Sequence, residues 1–253
     1  AMTFADSDLT EDGFLGGRLR ILQPRAGYRA AMDPVLLGAA VPARPGQSVL
    51  ELGCGAGVAA LCLAARIPSL EIVGLELQPS YADLARRNAS ANDAALTVID
   101  GDLAALPEAL RHRSFDHVIA NPPYFPPGAG TPAHDAGRET AHREATPLPL
   151  WISVAFRHLI PRGTLTVIQS ADRLPDLLAA LPASAGSVTV LPVQPRESRP
   201  ARRIILRARK GGRGAFTLAP PFVIHEGPAH MRDGDDHTLA ARLVLRDGAA
   251  LPF

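Results

Sequence analysis

Lysine is almost missing from this chain: Lys210 stands alone among 26 basic residues, and arginine carries the rest. We read that bias as genome composition and give it no functional weight. Long apolar runs are also lacking. None reaches the ~18–20 residues that a membrane span needs, and no basic-then-apolar signal segment opens the chain, which points to a cytoplasmic protein with no membrane partner. Ala1-Met2 reads as an expression remnant rather than a targeting element. Cysteine is scarce, and Cys54 and Cys62 do not have the spacing of a zinc site or a redox pair. Two buried thiols in a reducing compartment are the expectation, with no disulfide. A formal net charge of +1 advertises no polyanion partner for the molecule as a whole.

What is present is an alternation of strand-like and helix-like segments from residue 48 onward, the pattern of a mostly parallel α/β sheet. Strands are expected at Ser48–Leu52, Glu71–Leu77, Ala95–Ile99, Phe115–Ala120 and Thr164–Gln169. Helices are expected at Ala56–Arg66, from Pro79 to Asn92, at Leu103–Arg111, Leu150–Leu159 and Arg173–Leu181. Proline in the first turn, as at Pro79, is tolerated because its missing N–H has no helical partner anyway. Ser187–Leu191 and Arg202–Arg209 read as an antiparallel pair at the sheet edge, joined by a basic loop. Residues 9–40 are too short for a separate domain and are expected to pack over the carboxyl ends of the strands. Pro126 to Pro149 reads as a long functional or disordered loop; His134, Arg138, His142 and Arg143 in it lack metal-site spacing. Asp233-Gly234-Asp235-Asp236-His237 lacks the register and final Glu of a calcium loop and reads as a turn. No metal is expected.

Two local patterns carry chemistry. The first is Glu51-x-Gly53-x-Gly55-x-Gly57, directly after the first strand. Glycine lets backbone N–H groups approach a ligand closely because it has no Cβ and tolerates positive φ. A dinucleotide loop would space its glycines Gly-x-Gly-x-x-Gly. Glu51 ahead of the turn suits a ligand with an ammonium group, such as the amino-acid end of S-adenosylmethionine. Glu76, ending the second strand, is placed to accept from two ribose hydroxyls, and Asp102, after the third, to meet an adenine amino group. The alternative for both acids is a solvated carboxylate at a strand end.

The second pattern is Asn121-Pro122-Pro123-Tyr124, after the fourth strand. An exocyclic amino group is a poor nucleophile because its lone pair is delocalised. Two fixed acceptors, the Asn121 side-chain carbonyl and the Pro122 main-chain carbonyl, would draw it toward tetrahedral geometry and stabilise the charge that develops on nitrogen. The prolines keep the turn rigid. Tyr124 offers a face to a swung-out base, worth roughly 1–3 kcal/mol per stack.

With these residues in this order, the chain resembles the Rossmann-like S-adenosylmethionine-dependent methyltransferases that act on amino groups. More narrowly, Gln23…Gly27-Tyr28-Arg29…Asp33-Pro34-Val35-Leu36-Leu37 is similar to the bacterial tRNA adenine-N6 methyltransferases, which modify the adenine 3′ of the anticodon in a valine tRNA. The resemblance runs over about residues 8–210. It implies a class I methyltransferase fold with a mostly parallel seven-stranded sheet and an antiparallel edge strand. It implies catalytic roles for Asn121, Pro122, Pro123 and Tyr124. It implies cofactor contacts from Glu51, Gly53, Gly55, Gly57, Glu76 and Asp102, with Tyr28 and Arg29 lining the cofactor or base side. The layout expected is one methyltransferase domain over 1–253: a lid-like segment (1–45), a catalytic core (46–210) and a tail (211–253). The same turn serves enzymes that methylate protein glutamine or other RNA and DNA adenines. The segment ahead of the loop reads as too short for the helical substrate domain of the glutamine enzymes. Arg196, Arg199, Arg203, Arg207 and Arg209 are candidate phosphate contacts on tRNA or another structured RNA, with a solvated edge strand as the alternative. Oligomeric state is not legible.

Overall fold

The computed structural model describes residues 3–124, 146–229 and 235–253. Ala1-Met2, the loop residues His134, Arg138, His142 and Arg143, and Asp233-Gly234 lie outside them. The central sheet is built from β3 (Ser48–Leu52), β4 (Glu71–Glu76), β5 (Leu96–Asp100), β6 (Phe115–Ala120), β7 (Leu159–Ser170), β8 (Ala185–Arg196) and β9 (Arg203–Lys210). Their spatial order is β5-β4-β3-β6-β7-β9-β8. The pairings are parallel throughout except for β9, which runs against both β7 and β8. Two short strands, β10 (Thr217–Leu218) and β11 (Phe222–His225), extend the sheet by pairing in parallel with β8. They lie in the tail, where the sequence shows no strand period.

The strands alternate between two helical layers because successive side chains point to opposite faces. Val49, Ile119 and Ile205 pack with α1 (Met32–Ala40), α2 (Val58–Arg66) and α7 (Leu239–Leu245). Leu50, Val118 and Leu206 pack on the other side with α5 (Leu148–Arg157) and α6 (Leu174–Ala180). α3 (Pro79–Ala91) begins on its proline and packs beside β4 and β5; α4 (Glu108–Arg111) is a single turn. Pro161-Arg162-Gly163 forms an irregularity at the start of β7, where the register against β6 shifts and Arg162 takes φ 68°.

Residues 9–24 form a hairpin that the sequence does not announce, β1 (Leu9–Phe14) and β2 (Leu19–Pro24). Its turn runs through Leu15, Gly16 and Gly17, all at positive φ. Asn88 of α3, fully buried, ties the hairpin down: its amide donates to the Leu22 and Ala56 carbonyls and its oxygen accepts from the Leu22 N–H.

At the amino ends of the strands, His117 is buried with Nε2 2.9 Å from the Gln47 Oε1, and Nδ1 has no partner among the described residues. Burial outweighs the neighbouring Asp116 carboxylate and pushes its pKa from 6.5 down to about 4. The unfolded chain therefore binds a proton between those values that the folded chain refuses. Stability is full above about pH 6.5 and falls as the pH drops toward 4, by about 3 kcal/mol in all. A urea midpoint followed against pH checks this, and His117→Gln should flatten the profile in that window.

Candidate functional site

Strand order reverses between β3 and β6, and ligands in open α/β sheets bind at that switch point, outside the carboxyl ends. Leu52, ending β3, pairs with Ala120, ending β6. The next residue on each strand is therefore Gly53 and Asn121, so the two sequence patterns become neighbours across one strand spacing. Together they line a cleft with about 420 Å³ of empty space, open to solvent, shared with Gln23, Tyr28, Glu51 and Gly55. A second cavity, among Leu61, Ile67, Leu70 and Asp93, lies at the opposite ends of the strands, away from every candidate group.

The loop holds its shape through the three glycines at φ +66°, +55° and +85°. Gly57 sits just before α2 as its N-cap. A Cβ on Gly53 would lie 2.7 Å from the Trp151 ring, so the indole of α5 forms the floor of the loop. Glu76 is buried, and its carboxylate accepts from the Gly55 N–H at 2.8 Å and the Gln78 N–H at 3.0 Å. It ties the loop to the end of β4. Glu51 is buried at the cleft wall and accepts from the Ala60 N–H at 3.1 Å.

The other candidate cofactor residues divide. Tyr28 lines the cleft, its carbonyl held by the Tyr81 hydroxyl at 2.9 Å. Asp102 lies outside the cleft lining and closes a local turn by accepting from the Ala104 N–H at 2.8 Å. Arg29 also lies outside it: the guanidinium clamps the hairpin through Asp12, the Thr10 hydroxyl and the Pro24 carbonyl. Its charge is spent on fixing the segment that carries Tyr28.

The Asn121–Tyr124 turn is braced from several elements. Gln169, fully buried at the end of β7, donates to the Pro123 carbonyl at 3.3 Å, and Arg173 donates to the Tyr124 carbonyl at 3.3 Å. The Tyr124 hydroxyl donates to Asp33 in the first turn of α1, and the same carboxylate pairs with Arg203 at the start of β9. The guanidinium lies 5.8 Å from the Tyr124 ring centroid. Burial and the Asp33 charge hold the phenol well above its ordinary pKa, so it stays a donor. Sequence reasoning assigned no part to Gln169, Arg173 or Trp151. A glutamine closing the apolar run Val167-Ile168 is a signal that could have been read, since a polar side chain at a strand's carboxyl end faces the crevice.

The arginines expected to contact phosphate do not form one surface. Arg203, Arg207 and Arg209 share one face of β9, but α1 covers that face at the first two. Arg207 donates to the Ala40 carbonyl and stacks 3.9 Å over the Phe253 ring; burial, then Arg66, pushes its pKa down to about 10. Arg203 belongs to the Tyr124 turn. Arg196 is paired with Asp236. Arg199 and Arg209 are exposed, together with Arg202 and Arg213.

The profile of the family described as "Methyltransferase small domain" matches residues 33–181, more than half of the chain. A tRNA1(Val) (adenine(37)-N6)-methyltransferase of Porphyromonas gingivalis is 35% identical over 175 residues, covering 66% of this chain and 68% of that protein. The protein of the same name from Dickeya chrysanthemi is 30% identical over 208 residues, 81% of each chain. Among solved structures, one titled a predicted O-methyltransferase from Agrobacterium tumefaciens superposes with a TM-score of 0.70 at 26% identity, over 87% of this chain and 98% of that one. The fold is that of class I methyltransferases. With a glycine loop and an Asn-Pro-Pro-Tyr turn meeting at the switch point of such a sheet, the chain belongs to the methyltransferase small domain family, among the relatives named tRNA1(Val) adenine-N6 methyltransferases.

Proposed function

We propose that this protein transfers a methyl group from S-adenosylmethionine to the exocyclic amino group of an adenine in tRNA, at the position 3′ of the anticodon that its relatives' name denotes. The observation that carries this reading is the pairing of Leu52 with Ala120, which sets Asn121 beside the glycine loop. The cofactor fits the residues present. Gly53 brings bare backbone to the cleft, with Trp151 behind it where a side chain would stand, and the buried Glu51 carboxylate at the cleft wall matches an ammonium group. Gly55 and Gly57 shape the loop, Glu76 holds it, and Tyr28 covers the cleft. When bound, S-adenosylmethionine supplies an electrophilic methyl on a sulfonium.

The chain's own residues act on the nucleophile. The Asn121 side chain and the Pro122 carbonyl accept the two amino hydrogens, Pro122 and Pro123 keep those acceptors fixed, and Tyr124 stacks the base. Nothing in this set removes a proton from a hydroxyl, which favours an amino group over the oxygen named in the Agrobacterium structure's title. Exposed Arg199, Arg202, Arg209 and Arg213 supply phosphate contacts. Of the lid-like segment expected over 1–45, residues 9–30 cover the cleft through Gln23, Tyr28 and Ala30, whereas α1 belongs to a core layer on the sheet.

The test is methyl transfer from labelled S-adenosylmethionine to total tRNA lacking the modification. Label recovered as N6-methyladenine is the expected result. Measurable cofactor binding with no label on tRNA would sink the tRNA assignment and turn attention to rRNA, DNA and protein glutamine.

A further inference from the structure

Among the described residues, Tyr124 is the one member of the catalytic turn whose side chain is tied to a distant element at its far end. The ring can rotate about two bonds, and stacking alone would leave its tilt soft. Two groups far apart in sequence remove that freedom: Asp33 accepts from the hydroxyl, and Arg203 pairs with Asp33 while its guanidinium lies over one side of the ring. The Asp33 side chain is 15% exposed and that of Arg203 32%, so the pair is shielded from screening. Asp33 lies in the first turn of α1, where the helix dipole also favours its charge. A charge-assisted O–H···O⁻ bond is short and directional, well suited to fixing a ring plane.

We infer that Asp33 and Arg203 are positioning residues that lock the tilt of Tyr124, leaving one ring face for the target base and fixing that base's plane relative to Asn121. This rests on the proposed base-methylating reaction. The two prolines fix the main chain between Asn121 and Tyr124, so ring tilt is the remaining freedom between the stacked base and the two carbonyl acceptors. A small error there moves the amino nitrogen off the line of displacement, and misplacement by about 1 Å costs up to about a hundredfold in rate.

The variants are Tyr124→Phe, which keeps the ring and removes its anchor, Asp33→Asn, Arg203→Ala, Arg203→Lys, and Tyr124→Phe combined with Asp33→Asn. Two readouts are needed. In methyl transfer at saturating cofactor, Tyr124→Phe and Asp33→Asn should each lower kcat about tenfold while KM for tRNA and cofactor affinity hold. The double variant should be no worse than the poorer single one, since both remove the same bond. Arg203→Lys, which keeps the charge, should recover part of the rate lost in Arg203→Ala. In an ultraviolet titration of the folded protein's tyrosines, Asp33→Asn should let one more tyrosine ionise at lower pH, and adding Tyr124→Phe should abolish that signal.

Wild-type kcat in Tyr124→Phe would overturn the inference, as would losses that multiply in the double variant or a tyrosine titration indifferent to Asp33. If the wild type methylates no tRNA, the proposed reaction fails. The titration needs no substrate, and still decides whether Asp33 holds the phenol.

Discussion

Replacing Asn121 by alanine should lower kcat for methyl transfer by about a hundred- to a thousandfold, the usual effect of deleting one fixed polar group aimed at developing charge. The side chain emerges directly after β6, whose last residues, Ile119 and Ala120, are fully buried and paired on both sides by β3 and β7. Its position is therefore set by the sheet rather than by a loop. Pro122 and Pro123 follow, and Gln169 holds the Pro123 carbonyl, so the loss of one side chain leaves the rest of the turn in place. The Pro122 carbonyl would remain, but a single acceptor cannot draw the amino group out of conjugation or hold its lone pair in line. The loss should fall on kcat, with cofactor binding retained, because the glycine loop proposed to hold the cofactor stands on β3 and β4. Single-turnover transfer with preformed cofactor complex is the measurement. A variant with wild-type rate would remove Asn121 from the chemistry.

Gly53→Ala should cost at least about tenfold in cofactor affinity, through two effects that add. A residue with a Cβ at φ +66° is strained by about 1–2 kcal/mol. The new methyl would also lie 2.7 Å from the Trp151 ring, which is 7% exposed and wedged in the core behind the loop. Trp151 cannot yield freely, because its neighbours Ile152 and Ala155 are fully buried and its indole N–H donates to the Thr146 carbonyl. The loop must shift instead, and with it the Gly55 N–H that Glu76 holds. Equilibrium dialysis with S-adenosylmethionine reads the affinity. Pairing Gly53→Ala with Trp151→Leu should restore part of it by removing the clash while the φ strain persists. Full affinity in the single variant would mean that the loop plays no part in binding.

These two predictions rest on residues that the sequence exposes by itself. The glycine loop, the Asn-Pro-Pro-Tyr turn, the strand-helix alternation from residue 48 and the proline opening α3 are all local: each follows from backbone preferences, side-chain periodicity or the steric needs of a few neighbouring residues. Even the meeting of the two patterns is implied by the switch-point rule once the strands are placed in order. The hairpin at residues 9–24 was hidden because its stability comes from packing on α3 through Asn88 rather than from a clean alternation. Strands β10 and β11 were hidden because they are short, and the exposed Thr217-Leu218 carries no pattern. The arginines show the limit most clearly. On one face of β9 they stand as a surface row would, yet α1 folds back over Arg203 and Arg207 and turns one into the brace of Tyr124 and the other into a half-buried clamp on Ala40. Sequence spacing fixes which face of a strand a side chain takes. What covers that face depends on elements more than a hundred residues away, and only the tertiary structure brings Asp33, Tyr124 and Arg203 to one point.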